Sequence, residues 1–292
     1  MSYQLLDGRA TSLKVQESIA SEVESRISKG LKRPHLAAVL IGNDAASKAY
    51  IGHKVKACEK VGFKSTIVER GSDISEYELL GIVNELNNDP HVDGFIVQLP
   101  LPSHINSQRV IEAVSPIKDV DGFHPENVGK MALGLKTFKP ATPAGVITLL
   151  KHYNINTEGL HAVVIGRSDI VGNPMSALLR MNTVPGNCTV TQCHSRTADL
   201  KFHTLQADII VAAIGRPNFI TKDMVKEGAI VIDVGINRID DSTRKSGSRL
   251  VGDVDFDNVA DKCSWITPVP GGVGPMTIAT LLENTLLAAY GK

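Results

Sequence analysis

The stretch HAVVIGRSDIVGNPMSALLRM, His161 to Met181, joins a short apolar run to an amphipathic one through a turn punctuated by Gly166, Ser168 and Gly172. The apolar run reads as a buried strand, and Pro174, early in the amphipathic run, marks the opening of a helix. Such a turn aims unpaired backbone N–H groups and the positive end of a helix at an anion, so a pyrophosphate is its natural occupant. The spacing departs from Gly-x-Gly-x-x-Gly: Ser168 takes the second glycine position and the third glycine comes one residue late. On spacing alone an ordinary tight strand-to-helix turn explains it equally well.

Downstream, CTVTQCH (from Cys188), ADIIVAAIG (from Ala207) and AIVIDVG (from Ala229) are nearly all apolar, as parallel strands covered on both faces are. The strand after the turn ends on His194, Ser195 and Arg196, where enzymes using NAD place an acid for the ribose hydroxyls. A carboxylate would repel a 2′-phosphate. Hydroxyl and cationic groups, with Arg167 in the preceding turn, pair with one, so NADP is the expected cofactor. The alternative for Arg196 is a solvated charge at a loop end.

Upstream, strands are expected at HLAAVLIG (from His35), KSTIVE (from Lys64) and VDGFIVQL (from Val92), with helices at 45–61, 75–88 and 106–114 between and after them. SPIKDVDGFHPENVGKMALGLKTFKPATP, from Ser115, is rich in Gly and Pro and lacks a steady period, which places a domain junction there. Pro143 opens a further helix, and a last one from about Met276 spaces Ile278, Leu281, Leu282, Leu286 and Ala289 along one stripe. The expected fold is α/β with two α/β domains: 1–121 with 276–292, then 140–275, joined by a linker at 122–139.

The chain has 292 residues, 42 % hydrophobic and 21 % charged, a composition suited to folded domains and foreign to disorder or a fibre. Lys plus Arg and Asp plus Glu number 31 each, which argues against a partner held by bulk charge, such as nucleic acid or anionic lipid. No apolar stretch suits a signal peptide or a membrane span. Cys58, Cys188, Cys193 and Cys263 include no Cys-x-x-Cys pair, so a reduced, metal-free, cytoplasmic protein is expected.

In the helix NDAASKAYIGHKVKACEKVGF, capped by Asn43 or Asp44, residues Ala46, Tyr50, Ala57, Cys58 and Val61 share an arc. Lys54 falls inside it, one turn from Tyr50. Desolvation there lowers the amine's pKa and makes it a usable proton acceptor, unless the side chain snorkels to solvent. Gln98 ends an apolar strand halted by Pro100 and Pro102, where open α/β sheets gather ligand groups. It can orient the lysine, orient a substrate, or merely satisfy a loop. Asp119 and Asp121 in KDVDGFHP read, taken alone, as turn residues. TPVPGGVGPMT, from Thr267, offers backbone that lets a flat ligand approach closely, as a hinge would.

Taken together, YIGHKVKACEKVGF, VQLPLP, KDVDGFHP, TPAGVITLL, VIGRSDIVGNPMS and TPVPGGVGPMTIATLLENT resemble the bifunctional methylenetetrahydrofolate dehydrogenase/cyclohydrolase family in its bacterial, stand-alone form. The resemblance covers nearly the whole chain. It implies a folate-binding catalytic domain and a Rossmann-like NADP domain, a cleft between them, and a homodimer formed through the second domain. It casts Lys54 as the catalytic lysine, Tyr50 as stacking over folate, Gln98 as a partner of the lysine and Asp121 as holding the pterin's amino edge. Val97, Leu99, Gly272, Pro275 and Thr277 would border the substrate; Gly166, Arg167, Ser168, Ser195, Arg196 and Ile236 would contact NADP. One departure stands in KPATP, where Ala141 replaces the family's usual cysteine.

The activity so implied is oxidation of 5,10-methylenetetrahydrofolate by NADP⁺ and hydrolysis of the methenyl product to 10-formyltetrahydrofolate. A dehydrogenase of small acids would need a cationic clamp for which Lys54 is a thin case. A dinucleotide sensor without turnover fits poorly with the set Tyr50, Lys54, Gln98 and Asp121.

Overall fold

The computed structural model describes residues 3–244 and 247–291. In chain order the elements are β1 (Gln4–Leu5), α1 (Gly8–Ile27), β2 (His35–Ile41), α2 (Ala45–Lys60), β3 (Lys64–Arg70), α3 (Glu76–Asn88), β4 (Gly94–Val97), α4 (Ser107–Ala113), α5 (Pro125–Ala132) and α6 (Ala141–His152). Next come β5 (His161–Ile165), α7 (Gly172–Arg180), β6 (Thr189–Cys193), α8 (Leu200–Thr204), β7 (Ile209–Ala212), β8 (Ala229–Asp233), β9 (Asn237–Asp240), β10 (Ser248–Val251), α9 (Phe256–Val259), β11 (Cys263–Ile266) and α10 (Val273–Tyr290). None of these helices is long and apolar enough to cross a membrane.

The chain forms two compact units. The first joins Leu13–Ala141 to the residues from Ile278 onward; the second joins the residues up to Ser12 to Thr142–Thr277. Two boundaries differ from those expected. The amino terminus belongs to the second unit because β1 adds a parallel strand beside β11. The 122–139 stretch is no linker: it carries α5 and buries Phe138 in the first unit's core. Gly and Pro obscure its period, whereas Pro125 is an ordinary first-turn proline of a short helix.

The first unit holds a parallel sheet of order β3-β2-β4. Every residue of β2 is buried, and the alternation of a strand sends Leu36, Ala38 and Leu40 into one core and Ala37, Val39 and Ile41 into the other. The first core includes Ile51 of α2 and Leu281 and Leu282 of α10; the second includes Leu79 and Val83 of α3 and Val110 of α4. α3 begins with a reciprocal capping box between Ser75 and Glu78.

In the second unit a six-stranded parallel sheet runs β1-β11-β8-β7-β5-β6, with β9 and β10 as a separate antiparallel pair. Its β6-β5-β7 segment repeats the β3-β2-β4 arrangement, and the repetition extends to side chains. The His35 N–H donates to Asp93 (2.9 Å), and the His35 ring bridges the His91 carbonyl and the Thr66 hydroxyl. Likewise the His161 N–H donates to Asp208 (2.9 Å), and its ring bridges the Gln206 carbonyl and the Thr191 hydroxyl. Because a carbonyl only accepts, Nδ1 is the donor in both rings, and Nε2 faces the threonine hydroxyl. Each aspartate also meets a lysine, Lys32 in one unit and Lys226 in the other.

Candidate active site

In the first unit, the carboxyl ends of β2 and β4 place the reactive groups. Chain reversal after β2 leads to Asp44, whose carboxylate caps α2 by accepting the Ser47 N–H at 2.7 Å. The face so buried is Ser47, Ile51, Lys54, Ala57 and Cys58. This differs slightly from the expected arc: Ala46 is exposed and Tyr50 only half-buried, because the sheet meets the helix one position further round. Lys54 does not snorkel. It is 5 % exposed, its ammonium lies 4.6 Å from the centroid of the Tyr50 ring, and it donates to the Gln98 side-chain oxygen at 3.3 Å.

The Gln98 N–H continues the ladder by donating to the Val39 carbonyl. The Gln98 side-chain NH₂ donates to the Leu99 carbonyl at 2.7 Å, which fixes the amide so that its oxygen faces the lysine. Val97 and Leu99 flank it, both half-buried. Burial lowers the Lys54 pKa, opposed by the nearby Asp121 charge; burial raises that of Asp121, opposed by Lys54. Cys58, one turn on, is pushed up to about 12 by burial and remains a neutral thiol.

The two aspartates of KDVDGFHP have different tasks. Asp119 is the turn residue: its carboxylate accepts the N–H groups of Phe123 and His124 and the Asn127 amide. Burial pushes it up to about 6. Asp121 makes none of these turn bonds, and its backbone is clamped from both sides. Asn284 on α10 donates to the carbonyls of Val120 (2.8 Å) and Lys139 (3.0 Å), and Lys118 ties the segment to the end of α3 through the Leu86 and Asp89 carbonyls. Neither Asn284 nor Lys118 stands out in the sequence, since nothing local marks a distant amide as a brace.

In the second unit the expected turn comes directly after β5. Gly166 has φ +134°, and a Cβ there would lie 2.3 Å from the Ala213 carbonyl oxygen, so only glycine fits between the two strands. The Ser168 hydroxyl accepts the N–H groups of Val171 and Gly172 at 3.3 Å each, a loose cap at the start of α7. Arg167 and Ser168 are exposed. Ser195 and Arg196 are exposed in the turn after β6, where the Arg196 N–H donates to the His194 ring. Ile236, 58 % exposed, lies just beyond β8. Gly272, Pro275 and Thr277 belong to this unit: the Pro275 carbonyl accepts from Ser12, and Thr277 shares a hydrogen bond with Thr142. Exposed cations, weakly capped amides and a glycine passage at the switch point between β5 and β7 fit a phosphorylated dinucleotide.

A doubly wound sheet with that turn, and a separate unit carrying a desolvated lysine, define a two-unit α/β enzyme of the dinucleotide-binding class. The chain belongs to the tetrahydrofolate dehydrogenase/cyclohydrolase family: the family's catalytic domain matches residues 6–121 and its NAD(P)-binding domain residues 140–292. It is 59 % identical to the bifunctional protein FolD of Porphyromonas gingivalis over 290 residues, covering 99 % of this chain and 98 % of that protein. Among solved structures, the bifunctional FolD methylenetetrahydrofolate dehydrogenase/cyclohydrolase of Campylobacter jejuni superposes with a TM-score of 0.93 at 49 % identity, covering 99 % of both chains. The Trypanosoma brucei enzyme, complexed with NADP cofactor and inhibitor, gives 0.92 at 36 %, covering 99 % of this chain and 97 % of that one.

Proposed function

We infer that the protein oxidises 5,10-methylenetetrahydrofolate to 5,10-methenyltetrahydrofolate with NADP⁺ and hydrolyses that product to 10-formyltetrahydrofolate. The observation that carries this reading is Lys54, an amine withdrawn from water and held by an aromatic face and an oriented amide within the catalytic domain of this family.

The dinucleotide, when bound, accepts a hydride from the one-carbon bridge. Gly166, Arg167 and Ser168 would hold its pyrophosphate, Ser195 and Arg196 the 2′-phosphate, and Ile236 would line the nicotinamide end. Tyr50 stacks on the folate ring system and Asp121 accepts hydrogen bonds from the pterin's amino edge, so these residues act through placement of the bridge. Val97 and Leu99, beside Gln98, would border the substrate in the first unit.

In the second step water adds to the cationic methenyl carbon and Lys54 Nζ takes its proton. As the C–N5 bond breaks, N5 takes up a proton and the hydroxyl gives one up, leaving the formyl group on N10; the proton held by Lys54 passes to solvent, so one proton is released per turnover. An ordinary lysine is protonated near neutral pH and cannot serve. Burial makes the neutral amine accessible, and Gln98 holds it in one rotamer.

The assembly we propose is a cytoplasmic homodimer formed through the second domain, without nucleic acid or membrane partners. Four buried thiols, none paired, support a reducing compartment. The decisive assay tracks absorbance with methylenetetrahydrofolate and each dinucleotide in turn: NADPH formation reports the first step and decay of the methenyl chromophore the second. Absence of NADPH formation would refute the function.

A further inference from the structure

Asp253 belongs to neither group of site residues, yet its carboxylate has more partners than any of theirs. It is fully buried, and it accepts the backbone N–H groups of Ile214, Gly215 and Arg216 at 2.6, 3.0 and 2.9 Å. It also accepts the Asn237 side-chain amide at 2.9 Å. Residues 214–216 lie just beyond β7 and Asn237 opens β9 after β8, so both segments leave carboxyl ends of parallel strands, where open α/β sheets bind their ligands. Three successive amides converging on one point form an anion-binding nest. Here the nest is filled by the protein's own carboxylate.

Asp253 is itself firmly seated. Its N–H and that of Val254 donate to the two oxygens of Asp233, each at 2.9 Å, and the Gly235 N–H donates to Asp233 as well. A Cβ on Gly235 would stand 2.3 Å from the Asp253 carboxylate, so glycine alone permits the approach. Two features of the dinucleotide site depend on these bonds. The 214–216 loop continues from Ala213, whose carbonyl packs against Gly166, and Ile236 lies between Gly235 and Asn237, both tied to the aspartate pair.

We propose that Asp253 is a positioning residue of the dinucleotide site: it fills the 214–216 nest, holds Ala213 against the Gly166 turn and Ile236 in its segment, and denies the nest to phosphate. The pyrophosphate is thereby directed to the turn before α7. This rests on the reading that the second unit binds NADP.

The test is Asp253→Asn, which keeps the shape but turns an NH₂ toward amide donors. The expected result, by calorimetry, is NADP⁺ affinity weakened about tenfold, the loss of one charged hydrogen-bond acceptor. The KM for NADP⁺ should rise with it. The folate KM and the dinucleotide-free hydration of methenyltetrahydrofolate should stay within about twofold, a split that general unfolding would not produce. Asn237→Ala, which removes one partner and buries no new polar group, should shift NADP⁺ affinity about threefold in the same direction, and it decides the matter if Asp253→Asn fails to fold. Unchanged NADP⁺ affinity in the folded variants, or parallel loss of hydration activity, overturns the assignment. Wild-type protein that fails to reduce NADP⁺ would instead overturn the function on which it rests.

Discussion

In the proposed mechanism Lys54 carries the chemistry, and burial together with two neighbours, Asp121 and Gln98, sets its protonation and its direction. Desolvation favours the neutral amine, the Asp121 charge pulls the other way, and the Gln98 side-chain oxygen accepts a hydrogen bond from it. Replacing the lysine removes the proton acceptor and takes from the Gln98 side-chain oxygen its donor, changes confined to the first unit, so Lys54→Met should leave NADP⁺ affinity within about twofold and cut methenyl hydration by about 10²–10⁴-fold, the usual weight of general base catalysis. Decay of the methenyl absorbance measures it, and retained hydration would free Lys54 of this role. Asp121→Asn removes the charge that holds the lysine's pKa up. The rising limb of the hydration pH profile should therefore move to lower pH, whatever happens to the folate KM; a limb that stays put or moves up would show that the two groups do not interact. The sequence puts Lys54 and Tyr50 on one helix face, but the choice between a buried and a snorkelling amine depends on what covers that face.

At the level of elements, β3-β2-β4 and β6-β5-β7 are the same module used twice, once to present a lysine and an amide and once to present a glycine turn. Each is pinned at the opposite end of the sheet by a histidine that ties three strands through a threonine and an aspartate. Thr66→Val and Thr191→Val each leave an imidazole nitrogen unsatisfied and should lower the unfolding free energy by about 1–3 kcal/mol, read from urea denaturation; no change in either would mean that water replaces the hydroxyl freely. The turns after β5 and β6 are tested by charge: Arg167→Ala in the first or Arg196→Ala in the second should raise the KM for NADP⁺ by about tenfold or less with the folate KM unmoved, and equal effects on both would count against the phosphate assignment. Most strands and the helices 45–60 and 76–88 are legible from apolar runs and caps. α1 is not, because its polar and apolar residues lack a clean stripe, and β11, with Ser264 and Trp265 half-buried, lacks the apolar signature of its neighbours.

For the whole molecule, two buried carboxylates make stability depend on pH in an unusual direction. Burial pushes Asp119 in the first unit and Asp233 in the second up to about 6, above the value each has in an unfolded chain. Between about pH 4 and about pH 6 the folded protein therefore binds more protons than the unfolded one, and these groups make stability fall as pH rises, by on the order of 2–3 kcal/mol each. Above that window their contribution is constant. Asp233→Asn should remove one such contribution, so the slope of unfolding free energy against pH across the window should become more positive than in the wild type; an unchanged slope would place the Asp233 titration outside it.

Sequence alone determined the chemistry available: apolar strand runs, a glycine turn before a helix, a lysine on an apolar face and an acid-free strand end, all properties of residues near one another along the chain. Tertiary structure decided the rest. Which aspartate of KDVDGFHP builds the turn, what braces Asp121 from α10, and how Asp253 reaches three amides across the sheet are all set by packing between segments distant in the chain. Burial and hydrogen-bond satisfaction depend on what closes over a residue, and that partner is fixed only once the chain has folded.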